Sequence, residues 1–171
     1  MNGCPDEVAI VLDAIRRVVR AVRLSAQAAQ QHLGISAAQL FVLEQLADTP
    51  AASLGDLAAR TLTDRSAVSL VVTRLVAHGL VERKPAAEDR RRWTIALTPR
   101  GRALLRRAPR APTSQLLSAL ERMPRRDLRS LAREMRKLTR ALGLMEEPAS
   151  MLFEDAPAPR RRRSPAPRRP R

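Results

Sequence analysis

The chain has 171 residues, a length that as a prior fits one domain. Its 32 Lys and Arg outnumber 17 Asp and Glu, giving +15. Such a chain repels itself unless an anionic partner offsets the charge, with nucleic acid the first candidate and an anionic membrane surface the second.

An apolar share of 44% supports a true core. No apolar run approaches the roughly 18 residues of a membrane span. The N-terminus lacks a basic region followed by a long apolar segment, so no secretory signal is expected. A single cysteine, Cys4, excludes a disulfide framework and a cysteine-rich zinc site. The expected compartment is the cytoplasm, in association with the nucleoid and not with a membrane. Tyr is absent, and Phe41, Trp93 and Phe153 are the aromatics. Base-stacking sheets for single-stranded nucleic acid need more. Duplex DNA read by helices remains.

Residues 6–32 are predicted to form a long helix. Val8, Val11, Leu12, Ile15, Val18, Val19 and Val22 recur at spacings of three and four on one face. Gly34 ends it. Ser36 with Gln39 forms a capping box for the next helix, with Ile35 and Leu40 as its staple. Ser53 caps a short helix carrying Leu54, Leu57 and Ala58, and Asp64 caps another that runs to about His78 before Gly79. Leu80 to Lys84 is a strand. Pro85 to Arg90 is a charged loop. Trp93, Ile95 and Leu97 then alternate with Thr94 and Ala96 as a second strand. Thr98-Pro99 starts a helix that Pro109 and Pro112 interrupt. A helical stretch follows at about 113–122. Pro124 opens the last helix, with a seam of Leu128, Leu131, Met135, Leu138 and Leu142, closed by Gly143. From Glu146 onward Pro, Ala and Arg dominate, and 146–171 is expected to be a disordered basic tail. Its seven Arg against four acids give +3, leaving +12 on residues 1–145.

Helix, helix, basic hairpin and helix over 53–105 make a winged helix-turn-helix. At 100° per residue, Val68, Val71, Val72 and Leu75 cluster on one side of the second helix. Arg65, Ser66, Ser69, Leu70 and Thr73 cluster on the other. That outer face is short and carries no charge but Arg65, so the backbone can approach base edges in a major groove. An ordinary solvated face would carry more Glu and Lys, yet no acid lies between Asp64 and Glu82. At the hairpin tip, Asp89-Arg90-Arg91-Arg92 places three guanidinium groups where they can enter a minor groove or clamp phosphates. No Gly-rich phosphate loop, His-Glu-x-x-His or Gly-x-Ser-x-Gly motif is present, and no His, Cys and carboxylate cluster has metal spacing. The chain is therefore expected not to be an enzyme and to hold no metal or cofactor.

The stretch Asp89-Arg90-Arg91-Arg92-Trp93-Thr94-Ile95-Ala96-Leu97-Thr98-Pro99-Arg100-Gly101 resembles the wing-to-helix signature of MarR-type transcriptional regulators, Asp-x-Arg, a few strand residues, then Leu-Thr-x-x-Gly. Leu75 to Arg83 is similar to the end of the family's recognition helix. The resemblance spans about residues 6–143. It is specific in the wing and recognition helix, and pattern-level in the outer helices. It implies a mainly α fold with a small β-hairpin. A winged helix-turn-helix at about 36–105 would be flanked by dimerisation helices at about 6–32 and 99–143, all within a domain of residues 1–145. By position, Arg65, Ser66, Ser69, Leu70, Thr73 and Arg74 fall on the recognition helix, and Asp89 and Arg91 on the wing acid and wing arginine. Pro109 and Pro112 depart from the pattern, breaking a helix that is often longer in relatives.

The implied function is sequence-specific regulation of transcription by a homodimeric repressor on palindromic duplex DNA, released by a small, often aromatic, ligand. Two other readings stay open. One is an architectural DNA binder of low specificity, which the +12 core and Arg tail suit. The other is a thiol-based redox sensor using Cys4, although the tyrosines that support such a cysteine in one branch of the family are absent here.

Overall fold

The structure is a computed structural model that describes residues 5–47, 49–85, 93–145 and 151. It is mainly helical: α1 (Pro5–Leu33), α2 (Ala37–Gln45), α3 (Leu54–Thr61), α4 (Arg65–Ala77), α5 (Pro99–Leu105), α6 (Pro112–Glu121) and α7 (Arg125–Ala141). Strands β1 (Val81–Pro85) and β2 (Trp93–Leu97) pair antiparallel, Val81 opposite Leu97. This is the expected mainly α fold with a small hairpin, and the elements begin and end close to the caps read from the sequence.

Local chemistry explains those boundaries. The Ser36 hydroxyl accepts the Gln39 N–H at 3.2 Å, and the Gln39 side chain accepts the Ser36 N–H at 2.8 Å, a complete capping box for α2. Ser53 Oγ accepts the Asp56 N–H at 3.0 Å and starts α3. Gly79, at φ 66, takes the left-handed turn that lets the chain leave α4 for β1.

The core lies where α2, α3 and α4 meet the hairpin. Leu40, Phe41 and Leu43 of α2, Leu57 of α3, and Val68, Val71, Val72 and Leu75 of α4 are essentially without solvent contact. Burying each such side chain contributes about 1.5–3 kcal/mol. Ala51, between α2 and α3, adds a third backbone to the hairpin: its N–H and C=O exchange bonds with Ile95 at 2.9 and 2.8 Å. Arg60 pins the same connection. It donates to the carbonyls of Thr49 and Pro50 at 2.8 and 3.3 Å, and pairs with Asp56 at 2.7 Å. The Asp56 carboxyl lies below the usual carboxylate range, first because it accepts the Ala52 N–H and then because of Arg60. A depressed carboxylate stabilises the fold above its unfolded pKa, and that contribution fades as the pH falls through the folded value.

The outer helices are arranged differently. Pro112 occupies the first turn of α6, where a missing N–H costs nothing, but Ala111 has no side chain to cap the helix. Glu44 of α2 supplies the cap. It accepts the Ala111 N–H at 2.6 Å and the Ser114 hydroxyl. The two prolines thus end one helix and start another against α2. Helix α7 buries no residue, and most of α1 is open to solvent. Met151, the one described residue of the 146–171 stretch, lies in the core cluster beside these helices.

The Leu-Thr-x-x-Gly residues join the hairpin to the end of α4. Thr98 Oγ1 donates to the Gly79 carbonyl at 2.7 Å and accepts the Gly101 N–H at 3.0 Å, so one hydroxyl ends α4 and caps α5. A Cβ on Gly101 would overlap the Leu80 carbonyl oxygen, a backbone atom that cannot rotate away. Gly101→Ala is expected to destabilise the protein by about 1–3 kcal/mol, read as a lower urea midpoint at unchanged m-value.

Candidate nucleic-acid interface

Helix α4 is anchored at its start. Asp64 Oδ1 accepts the N–H groups of Ser66 and Ala67 at 2.8 and 2.9 Å, satisfying two of the orphan donors of the first turn. Val68, Val71, Val72 and Leu75 then face inward with no exposed surface. Arg65, Ser66 and Thr73 are exposed, and Ser69, Leu70 and Arg74 are half-buried. The periodicity argument thus places Arg65, Ser66, Ser69, Leu70 and Thr73 where the structure has them, away from the inward stripe, and Arg74, which the resemblance added, lies outside that stripe too.

An open hollow of about 560 Å³ runs along this face, lined by Leu54, Arg65, Ser66, Ser69, Leu70 and Thr73. Leu54 was missed by the sequence reading. It is the first residue of α3, and its position in the core-forming run hid the fact that it borders the same hollow as Leu70. Thr73 Oγ1 donates to the Ser69 carbonyl at 2.8 Å, which ties that hydroxyl to its own helix. Arg65 and the hydroxyls of Ser66 and Ser69 are the polar side chains of the hollow besides Thr73. Together with Leu54 and Leu70 they form a surface with few charges and little bulk, able to approach a polyanion closely.

Beside it, β1 carries the exposed cations Arg83 and Lys84, and Trp93 opens β2 with most of its surface in solvent. The wing residues Asp89, Arg90, Arg91 and Arg92 lie outside the described residues, as does Cys4. His32 is exposed at the end of α1. Among the described residues no group of His, Cys, Asp and Glu has the geometry of a metal site, and no helix is long and apolar enough to cross a membrane.

A second cavity lies on the far side of the α3–α4 turn. It holds about 190 Å³ and is bounded by Ala38 and Phe41 of α2, Thr61, Leu62 and Thr63 of the turn, and Thr113, Leu116, Leu117 and Leu120 of α6, with Met151. It therefore sits between the outer helices and the three residues that lead into the Asp64 cap.

A family model described as the MarR family matches residues 33–92. Among solved structures, BpsR of Bordetella bronchiseptica, whose DNA binding is regulated by 6-hydroxynicotinic acid, is 30% identical. The match covers 75% of this chain and 92% of that one, with a TM-score of 0.50. Sco3205 of Streptomyces coelicolor, a MarR family transcriptional regulator in complex with DNA, is 24% identical over 90% of this chain and 97% of that one, with a TM-score of 0.56. A MarR/EmrR family regulator from Acinetobacter is 22% identical over 84% and 100%, with a TM-score of 0.53. The last two establish the shared fold. No curated protein matches the chain.

The presentation of α4 depends on its cap. Asp64→Ala is expected to cost about 1 kcal/mol. Amide hydrogen exchange should show faster exchange at Ser66 and Ala67 with the middle of α4 unchanged.

Proposed function

The chain belongs to the MarR family of DNA-binding transcription regulators, and from that premise we propose that it acts as a homodimeric repressor of a palindromic operator, released by a small aromatic ligand. The family's work is DNA binding and not catalysis, in keeping with the expected lack of enzyme chemistry. The observation that carries the reading is the division of α4 into a fully buried apolar stripe and a short, nearly uncharged outer face. Ser69 and Leu70 face base edges in the major groove. Arg65, Ser66, Thr73 and Arg74 border the contact. Asp89 orients the wing arginines Arg90, Arg91 and Arg92, which engage phosphates or the minor groove.

Dimerisation is supported by what the single chain leaves uncovered. Val8, Ile10, Val11, Leu12 and Val18 of α1 are each between 44% and 67% exposed. Apolar surface on that scale marks an interaction site. Helix α7 adds Leu131 and Met135, and its C-cap adds Leu142. The domain assignment follows: residues 1–145 form one winged-helix domain with dimerisation helices at its ends, and 146–171 continue as a basic tail. Ligand release is supported by the cavity beside the α3–α4 turn and by the response of the Bordetella relative to 6-hydroxynicotinic acid.

Two measurements test the reading. The first is fluorescence anisotropy on an operator, a scrambled duplex and single-base variants across a salt series. Arg91→Ala should weaken binding to all duplexes and lessen the salt slope by about one for one phosphate contact. Ser69→Ala or Leu70→Ala should change the preferred sequence, at ~1–3 kcal/mol for a lost base contact. A regulator prefers its operator by about 10³-fold or more. Equal affinity for operator and scrambled DNA would favour the architectural reading. The second is light scattering of the Leu131→Asp, Leu138→Asp double variant. It places two carboxylates in an apolar interface at a cost of several kcal/mol, and monomer or aggregate is expected. A dimer with normal operator affinity would remove this interface.

A further inference from the structure

Met151 stands ten residues past the end of α7, yet it is 7% exposed and belongs to the same apolar cluster as Phe41. The apolar residues of α7 and its C-cap behave differently: Met135 and the cap residue Leu142 stay in solvent at 46% and 62% exposure. Met151 lines the cavity between α2, the α3–α4 turn and α6. There Met151 shares the wall with Phe41, Leu62, Leu116, Leu117 and Leu120. An unbranched thioether with three rotatable bonds fills an irregular apolar gap and leaves it again at little cost in shape.

Leu62 of that wall belongs to the α3–α4 turn. Leu62 holds a left-handed φ of 53 and is 72% exposed. That conformation is unfavourable for any residue with a Cβ. It lies two residues before Asp64, the cap of the recognition helix. Whatever fills the cavity packs beside the turn that sets where α4 begins.

We propose that Met151 is a built-in occupant of this cavity, so that the chain's own C-terminal segment competes with a bulky apolar ligand for the space next to the α3–α4 turn. The ligand role of the cavity rests on the reading given under Proposed function; the occupancy by Met151 does not. Size gives the competition a signature. The space left beside Met151, about 190 Å³, exceeds the roughly 150 Å³ of a cavity that binds benzene. A single ring fits with Met151 in place. A fused two-ring system with a further ring attached requires Met151 to leave.

The test uses the full chain with methyl-¹³C methionine, which labels Met1, Met123, Met135, Met145 and Met151. Met151→Leu assigns the Met151 signal and keeps an apolar side chain of similar size. The probes are neutral: phenol for one ring and N-phenyl-1-naphthylamine for the larger system. The Met151 methyl should be broadened by a soluble nitroxide far less than free methionine in the same solution. Adding N-phenyl-1-naphthylamine should move it to the position of free methionine, and phenol should leave it protected. Met151→Ala should bind the larger probe about tenfold more tightly, Met151→Leu should bind it like the parent chain, and phenol affinity should change little in either. A Met151 methyl as accessible as free methionine overturns the proposal. So does a larger probe that binds the parent chain and Met151→Ala equally. Operator affinity, measured with and without the larger probe, separates the two readings. Displacement of Met151 with unchanged operator affinity upholds the occupancy and refutes release of DNA from this cavity.

Discussion

The structure depends on one constraint: helix α4 is held by a stripe of apolar side chains that has no freedom to turn. Val68, Val71, Val72 and Leu75 are sealed against Leu40, Phe41 and Leu43 of α2 and Leu57 of α3. Rotating α4 by one residue, about 100°, would bring Ser69 and Thr73 into the core, leaving the Ser69 hydroxyl there without water at a cost of about 1–3 kcal/mol. It would also expose valines. The outer face is therefore set by the inner one. Arg65, Ser66, Ser69 and Leu70 are presented to solvent as a consequence of packing. The Asp64 cap and the Thr98 bridge to Gly79 fix the two ends of the same helix.

The periphery follows a different logic. The winged-helix body buries its own core and takes in Ala29 near the end of α1, but residues 6–21 of α1 are exposed throughout and α7 buries no residue. A helix with a half-exposed apolar face gains little from folding alone, since most helical stability comes from packing that face. The joint between body and periphery is made by a few long-range contacts. Glu44 caps α6 from α2, and Met151 closes the cavity between α6 and the α3–α4 turn. Thr61, Leu62 and Thr63 line that cavity and lead into the Asp64 cap of α4. The outer face of α4 and the cavity thus both adjoin one short turn.

Much of this was legible in the sequence because the signals are local. The capping box Ser36–Gln39, the caps Ser53, Asp64 and Thr98, and the terminator Gly79 act over a few residues, and each lies where the pattern put it. The period of α4 was legible for the same reason, and with it the placement of Arg65 to Arg74. What stayed hidden involves contacts between distant residues. The Ala51–Ile95 bridge is a single residue with no strand pattern around it. Glu44 caps a helix 67 residues away, so the start of α6 gave no local sign of its partner. Leu54 packs against the core, as read, and also borders the hollow, a second role that the pattern did not show. Met151 opens a short apolar triplet with Leu152 and Phe153 inside a Pro-, Ala- and Arg-rich stretch, and three residues are too few to show a helical or strand period. The resemblance supplied the roles of Asp89 and Arg91, which lie outside the described residues.

The central claim is that the outer face of α4 enters the major groove. Dimethyl sulfate probing of an operator complex tests it directly, because the reagent methylates guanine N7 in the major groove and adenine N3 in the minor groove, so one experiment reports on both. The account predicts strong protection of guanine N7 within each half-site, with weaker protection of adenine N3 at the flanks where the wing sits. Protection confined to adenine N3, with guanine N7 in the half-sites as reactive as in free DNA, would contradict it.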